Sequence, residues 1–253
     1  MEDLTETRDY ANFDPYWYVE HFNATDEALI IMQTDLDNLH KIFTEYNIGG
    51  KRLLDVGTGP TIHSVISASR HVDEIFLSDY APQNLEYLRK WLKKDISEPT
   101  KIIDYVISLE GCKMTAEERG NQVREKVRGI LPIDVTSETP LGSAYDGGKF
   151  DVIISSYCIE AAVLDVTGYR RCIEHVSSLL NKGGVLINIG DLEGEYSQVG
   201  AYKFQGVSIN KQEVQSAMAQ AGYTIKLYSE FPVTVEEARY TDTNGYYIVV
   251  ATK

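Results

Sequence analysis

Cysteine is scarce in this chain. Its three cysteines, Cys112, Cys158 and Cys172, share no C-x-x-C spacing, so neither a disulfide framework nor a zinc site is expected, and no metal site is assigned. A reduced, cytoplasmic setting fits. Long apolar runs are missing too: none approaches the roughly 20 residues that a membrane span needs. The N-terminal stretch MEDLTETRDYANFDPYWYVEHF is acidic and aromatic with no apolar h-region, so a signal peptide is not expected. Without secretion, the glycosylation triplet Asn23-Ala24-Thr25 carries no meaning. Positive charge is in deficit: 24 Lys and Arg stand against 38 Asp and Glu, a net charge of −14. That disfavours nucleic acid, whose binding leans on Lys and Arg contacts to phosphate. It mildly favours a cationic small substrate, because acidic clefts concentrate cations. Repeats and low-complexity linkers are absent.

What is present is ordinary globular material. The 253 residues are 43% hydrophobic and 25% charged, enough to cover a substantial core without staples. Residues 1–253 read as one domain, an N-terminal lid or cap over 1–48 and an α/β core over 49–253. Thr25-Asp26-Glu27 caps a helix with apolar positions Ala28, Ile31, Leu36, Leu39, Ile42 and Phe43, stopped by Ile48-Gly49-Gly50. KRLLDV is a short strand, GTGP a glycine turn, and a helix runs on through Ile62, Val65 and Ile66. EIFLSDY is a second strand, and APQNLEYLRKWLKK an amphipathic helix. TAEERGNQVREKVRG reads as a charged helix with an awkward Gly120. GILPIDV is a strand that Pro132 pushes towards an edge or an early position. FDVIISSYCIEAA is a buried strand, YRRCIEHVSSLLNKGG a helix with a glycine stop, and GVLINIGDL another strand. The last quarter gives a helix, KQEVQSAMAQAG, and two strands, YTIKLYSEF and GYYIVVATK. Such alternation means a mostly parallel sheet covered on both faces.

LLDVGTGP carries the most local information. An apolar strand runs into Gly57-x-Gly59, whose glycines allow a tight turn and close approach of a ligand. Asp79 lies about 20 residues on, at the end of the next strand, where a carboxylate grips ribose hydroxyls in Rossmann-like sites. Ile62 stands where the third glycine of the dinucleotide fingerprint would fall, which favours a nucleoside without a pyrophosphate. S-adenosylmethionine is such a ligand. The plainer reading of Asp79 is a cap for the helix from Ala81-Pro82, and both roles can hold.

The segments LLDVGTGPTIHSVISA, SDYAPQNLEYLRKWLKK, LPIDVTSETPLG, SSYCIEAA and LLNKGGVLINIGDLEGEY resemble the small-amine N-methyltransferases, the nicotinamide, phenylethanolamine and indolethylamine/thioether enzymes. The resemblance runs from about Tyr10 to the C-terminus. It implies a class I methyltransferase: a seven-stranded Rossmann-like sheet with its last strand antiparallel, helices on both faces and an N-terminal cap. It also implies an S-adenosylmethionine cofactor, leaving S-adenosylhomocysteine as product. Tyr10 and Tyr18 would belong to the lid, and Gly57, Thr58 and Gly59, with Thr61 and His63 after them, would face the methionine part. Asp79 would bind the ribose, with Tyr80 stacking on adenine, Asn84 near the ribose or carboxylate side, and Asp134 and Val135 at the adenine edge. For the aromatic segment the plainer alternative is packing against the domain. Two departures stand out: Asn23 and His63 occupy positions where the family usually has tyrosines serving the cofactor's methionine end. His63 reads equally as a solvent-facing residue.

The acceptor residues implied by the same resemblance are Glu160, Glu193 and Asp242. Glu160 and Glu193 sit just past two strands, on the edge where open α/β sheets bind ligands. In the phenylethanolamine enzyme, matching acids hold the substrate amine and hydroxyl. The nicotinamide enzyme holds its carboxamide with serines, which align with Gly194 and Gly206 here. An acid of its site aligns with Gly190, with Asp191 one residue later. The expected substrate is therefore a small alkylamine or phenylethanolamine-like amine, with Glu160, Glu193 and Asp242 converging beside Gly57 and Thr58. The expected protein is a cytoplasmic monomer without nucleic-acid or membrane partners. Alternatives are nicotinamide as the pyridine acceptor, or a cofactor-binding protein without activity. A nucleic-acid or protein methyltransferase is disfavoured: SSYCIEAA stands where an N-P-P-Y or Pro-Cys motif would fall.

Overall fold

A short strand, Thr5–Thr7 (β1), opens the computed structural model, which describes residues 4–253. After a single 3-10 turn at Tyr10–Asn12, the carboxylate of Asp14 accepts from the backbone N–H groups of Tyr16 and Trp17 and starts α1, Pro15–Phe22. The Thr25 hydroxyl accepts from the Ala28 N–H at 3.0 Å and starts α2, Asp26–Glu45, the N-cap geometry its sequence predicts. Then follow β2 (Gly50–Val56), α3 (Val65–Ala68), β3 (Val72–Asp79), α4 (Pro82–Lys93), α5 (Thr100–Glu110), α6 (Ala116–Arg124), β4 (Val127–Pro132), β5 (Phe150–Ser156), α7 (Val166–Ser178), β6 (Leu180–Leu192), β7 (Tyr196–Val199), β8 (Tyr202–Gln205), α8 (Lys211–Gln220), β9 (Thr224–Pro232) and β10 (Gly245–Thr252).

The main sheet has the order β4-β3-β2-β5-β6-β10-β9, with β10 antiparallel to both of its neighbours and the other pairings parallel. This is the expected class I methyltransferase sheet, antiparallel at its last strand. The strand ending at Pro132 lies at the edge, where its missing N–H costs no ladder bond. One apolar layer gathers Leu36, Leu39, Phe43, Leu53 and Val106 under α2 and α5, and the other gathers Leu54, Ile153, Ile173 and Met218 under α7 and α8. The chain order reverses between β2 and β5, so a crevice opens at their carboxyl ends. Register places Val56 beside Ser78 and Ser155, and Ser156 beside Ile189. The residues that follow, Gly57, Asp79, Tyr157 and Gly190, therefore share one rim.

Several boundaries differ from the sequence reading. The helix read over TAEERGNQVREKVRG ends at Arg124, and Val127 starts a strand. Gly120 is there because Glu98 fills the space of a side chain: an added Cβ would meet its Oε2 at 2.6 Å. The helix before β6 stops at Ser178, and Gly183, at φ +81°, serves a turn inside the strand segment instead. The stretch read as a helix through Ile62 is a loop leading into the four-residue α3. Two features had no counterpart in the sequence reading: α5, and a second sheet of order β1-β8-β7. That small sheet pins the N-terminal segment over the crevice, because Thr5–Thr7 pairs in parallel with Tyr202–Phe204.

Candidate active site

The crevice is a cavity of about 450 Å³, within the range of small-molecule sites. Its floor is the glycine turn. Gly57 has φ +72° and an added Cβ there would lie 2.4 Å from Cys158 Cβ and Sγ, so only glycine lets the ends of β2 and β5 approach this closely. The turn is held from behind. The Ser64 hydroxyl donates to Asp55 Oδ2 at 2.6 Å, Ser78 Oγ donates to the Asp55 carbonyl at 2.7 Å, and the Thr58 N–H donates to the Ser78 carbonyl at 2.8 Å. Burial pushes the Asp55 carboxyl up to about 7.

Asp79 crosses the crevice to this turn. Its Oδ2 accepts from the Gly59 N–H at 2.7 Å, and its Oδ1 from the Ala81 N–H at 2.8 Å and Asn84 Nδ2 at 3.1 Å. It thus supports the start of α4 and lines the cavity at once. Burial raises its carboxyl, and those hydrogen bonds oppose the rise. Around it the wall includes Tyr10, Tyr18, Thr58, Tyr80, Asp134 and Val135. Tyr10 packs on Phe204 at 5.1 Å and edge-on to Tyr80 at 6.1 Å, while its hydroxyl donates to the Ala161 carbonyl at 3.2 Å. Tyr18 packs on Phe22 and Phe13.

His63 is buried on this wall, which excludes the solvent-facing alternative, and neither ring nitrogen has a partner among the described residues. Burial lowers its pKa to about 4, so the ring is neutral. Asn84 Oδ1 and Ser156 Oγ are also buried, unpartnered and on the cavity wall. Orphaned polar atoms around a glycine turn and a buried carboxylate fit a nucleoside ligand with a polar amino-acid tail, the chemistry of S-adenosylmethionine. One expected cofactor residue is placed elsewhere: Thr61 does not line the cavity, because its hydroxyl donates to the buried Asn23.

The expected acceptor acids do not converge. Glu193, at φ +58°, turns away to accept from Asn244 Nδ2 at 2.9 Å. The Asp242 carboxylate ties down the N–H groups of Glu195 and Tyr196 at 2.9 and 3.1 Å. Neither lines the cavity. Glu160 is buried one layer back: its Oε1 accepts from the Asp191 N–H at 3.1 Å and its Oε2 has no partner. The acids that do line the far end are Asp35 from α2, Asp191 from β6 and Glu237 from the 3-10 turn at Glu237–Arg239. Tyr157, at φ +53° just beyond β5, donates its hydroxyl to Asp35 Oδ1 at 3.3 Å. Burial pushes Asp35 and Glu160 each up to about 7, and burial plus repulsion from Glu160 and the other acids raises Asp191. Sequence reading missed Asp35, Tyr157 and Glu237. Asp35 had a signal: it sits four residues from both Ile31 and Leu39, a carboxylate inside the buried stripe of α2.

Comparison with known proteins decides the family. The model of the NNMT/PNMT/TEMT family matches residues 2–253. The chain belongs to that family. It is 32% identical to nicotinamide N-methyltransferase of Homo sapiens, over 93% of this chain and 94% of that protein. It is 34% identical to indolethylamine N-methyltransferase of Mus musculus, over 94% and 89% respectively. Among solved structures it resembles magnesium protoporphyrin IX methyltransferase from Synechocystis with bound SAH, with a TM-score of 0.61 at 11% identity over 97% of each chain. The NNMT/PNMT/TEMT member described here is an S-adenosylmethionine-dependent methyltransferase of Rossmann-like fold. No helix among its described residues is long and apolar enough to cross a membrane.

Proposed function

We propose that this methyltransferase acts on the nitrogen of a small amine that reaches the site as a cation. One observation carries the reading: the far end of the cavity is walled by Asp35, Asp191 and Glu237, and the groups that perturb Asp191 are all acids, Glu160, Glu237, Asp35 and Asp242. Buried carboxylates without a cationic partner are costly, so such a pocket suits an ammonium. A pyridine carboxamide fits it worse. The positions where serines would hold a carboxamide are glycines without a hydroxyl and with little room for one: a Cβ on Gly206 would lie 3.0 Å from the Glu160 carbonyl, and one on Gly194 would lie 3.0 Å from Thr243 Cα.

In this reading Asp79 takes the ribose hydroxyls and Tyr80, Asp134 and Val135 the adenine. Tyr18, His63, Asn84 and the Gly57–Gly59 turn hold the remainder. Bound S-adenosylmethionine would supply an electrophilic methyl carbon on a sulfonium, whose C–S electron pair would stay on sulfur as the acceptor nitrogen bonds to that carbon. An ammonium has no lone pair, so it must first lose a proton. Asp191, with Glu160 behind it, accepts that proton: a carboxylate with a raised pKa is better matched to an amine than an ordinary one. Alignment and exclusion of water by the aromatic lid supply the rest. Glu160 is thus a positioning residue, and Glu193 and Asp242 shape the loop beside it. The three free thiols support a cytoplasmic setting, and we take the monomer as the working unit.

The test is calorimetry with S-adenosylmethionine followed by methyl transfer to a panel of phenylethylamines, tryptamine, alkylamines and nicotinamide. The expected result is cofactor binding and at least tenfold higher kcat/KM for the best amine than for nicotinamide. Faster methylation of nicotinamide than of every amine overturns the reading. Cofactor binding with no turnover on any member overturns it as well.

A further inference from the structure

The acceptor end gathers more carboxyl groups than one amine pairs with, Asp191 backed by Glu160 on the sheet edge, and Asp35 and Glu237 from α2 and the 3-10 turn. Cys158, which packs against Gly57, is perturbed by Asp79 and Glu160, so the Glu160–Asp191 corner adjoins the glycine turn. Asp35 belongs to a second corner, where Tyr157 donates to it and Glu237 is the acid that perturbs it. Glu237 itself accepts only from Thr234, whose N–H lies at 2.6 Å, and no lysine, arginine or histidine pairs with Asp35, Glu160, Asp191 or Glu237 among the described residues. Arg8 lines the cavity elsewhere, with its Nη2 on the Ala162 carbonyl at 3.1 Å.

The wall between the two corners is apolar and aromatic. Ile31, Met32 and Val233 line it together with Tyr157 and Tyr246, whose rings stand edge to face at 6.4 Å. Tyr246 is the register partner of Asp191, so the two rings bridge from Asp191 to Asp35. Such a wall suits methylene groups, and aromatic faces attract ammonium ions. Ser156 Oγ, next to Tyr157 on the same wall, is 91% buried and has no partner, an acceptor left over for one more N–H donor.

We propose that the acceptor is a linear aliphatic diamine, one nitrogen seated by Asp191, with Glu160 behind it, beside the glycine turn, the other held between Asp35 and Glu237. This rests on the amine reading above and narrows its substrate class. The nitrogen beside the glycine turn gives up its proton before transfer, while the distal one stays an ammonium and anchors the chain. Anchoring sets the reach, so the enzyme should select diamine length.

The experiment compares kcat/KM for 1,3-diaminopropane through 1,6-diaminohexane with 1-aminoalkanes of equal length, at saturating S-adenosylmethionine. The expected result is at least a 30-fold preference for the best diamine over its monoamine, with one optimum length. Asp35→Asn and Glu237→Gln should each cut that ratio at least fivefold. In a second readout without the methyl donor, the preferred diamine should raise the Tm of the wild-type enzyme more than the matching monoamine at equal concentration. Diamine and monoamine within threefold of each other in both assays would overturn the diamine assignment and leave the amine reading standing. Turnover of nicotinamide with no amine methylated would overturn both.

Discussion

Replacing Asp79 removes two things at once, and their sizes can be separated. In the ligand-free wall its carboxylate accepts from the Gly59 N–H, the Ala81 N–H and Asn84 Nδ2 at 2.7, 2.8 and 3.1 Å. Asp79→Ala strands two backbone donors in a buried wall. At about 1–3 kcal/mol per unsatisfied group, partly relieved by water entering the cavity, that is a loss of about 2–4 kcal/mol in stability. Asp79→Asn keeps one acceptor oxygen and should lose about half as much. The second loss is to the cofactor: two ribose hydroxyls would forfeit hydrogen bonds to a charged acceptor. Taking about 1–2 kcal/mol for each gives about 2–4 kcal/mol, or a Kd about 30- to 1000-fold higher. Calorimetric titration with S-adenosylmethionine, run well below the Tm of each variant, reads the second loss alone, and thermal unfolding without ligand reads the first. A folded Asp79→Ala protein with a Kd within threefold of wild type would refute the ribose assignment, whatever its Tm.

Three further outcomes follow from the same geometry. Gly57→Ala places a Cβ 2.4 Å from Cys158 at φ +72°, whereas Gly59 has φ +64° and nothing within 4 Å; the first should cost about 3 kcal/mol and the second about 1, and equal Tm losses would contradict the packing argument. Tyr18→Phe should lower kcat or cofactor affinity about tenfold with a Tm change under about 2 °C, since its ring packing on Phe13 and Phe22 is retained; unchanged kinetics would refute a role for the hydroxyl. Asp35 has a folded pKa near 7, above its ordinary 3.8, so the folded state holds its proton more tightly and wild-type stability falls as pH rises from about 4 to about 7. Ligand-free Asp35→Asn should therefore gain on wild type between pH 5 and pH 8, and an equal Tm difference at both pH values would show that folding does not raise the Asp35 pKa.

The glycine-turn half of the candidate site was legible because its signals are local. Strand, glycine turn, helix and a second-strand acid lie within about 30 residues, and the turn needs glycine for a steric reason that sequence exposes directly. Asp79 was readable both as a ribose ligand and as a helix-start support, and its two oxygens do support Gly59 and Ala81. The acceptor half was not legible in the same way. Asp35, Tyr157, Asp191 and Glu237 come from four separate elements, and only the tertiary fold brings them to one wall. Family alignment pointed to Glu193 and Asp242, but a left-handed backbone at Glu193 and two waiting backbone N–H groups at Glu195 and Tyr196 redirect those carboxylates. The small β1-β8-β7 sheet was invisible for a related reason: its strands are three or four residues long, too short to show periodicity.

The acids that were hard to read are also those that the fold tolerates least when empty. Burial raises Asp35 and Asp191, and Asp191 is raised further by each acid around it. A cavity of this kind is strained towards protonation when it holds no cation, and a bound ammonium relieves that strain by keeping the carboxylates charged. Cation binding should therefore release protons: the carboxyl groups that were protonated in the empty site ionise as the ammonium enters. The lid makes the effect large, because Tyr10, Phe13 and Phe204 close on one side while Arg239 is paired with Glu27 of α2 on the other, holding the Glu237 turn against the N-terminal helices. Burial sharpens the repulsion between these acids when the pocket is empty, and it sharpens their attraction for a cation when the pocket fills.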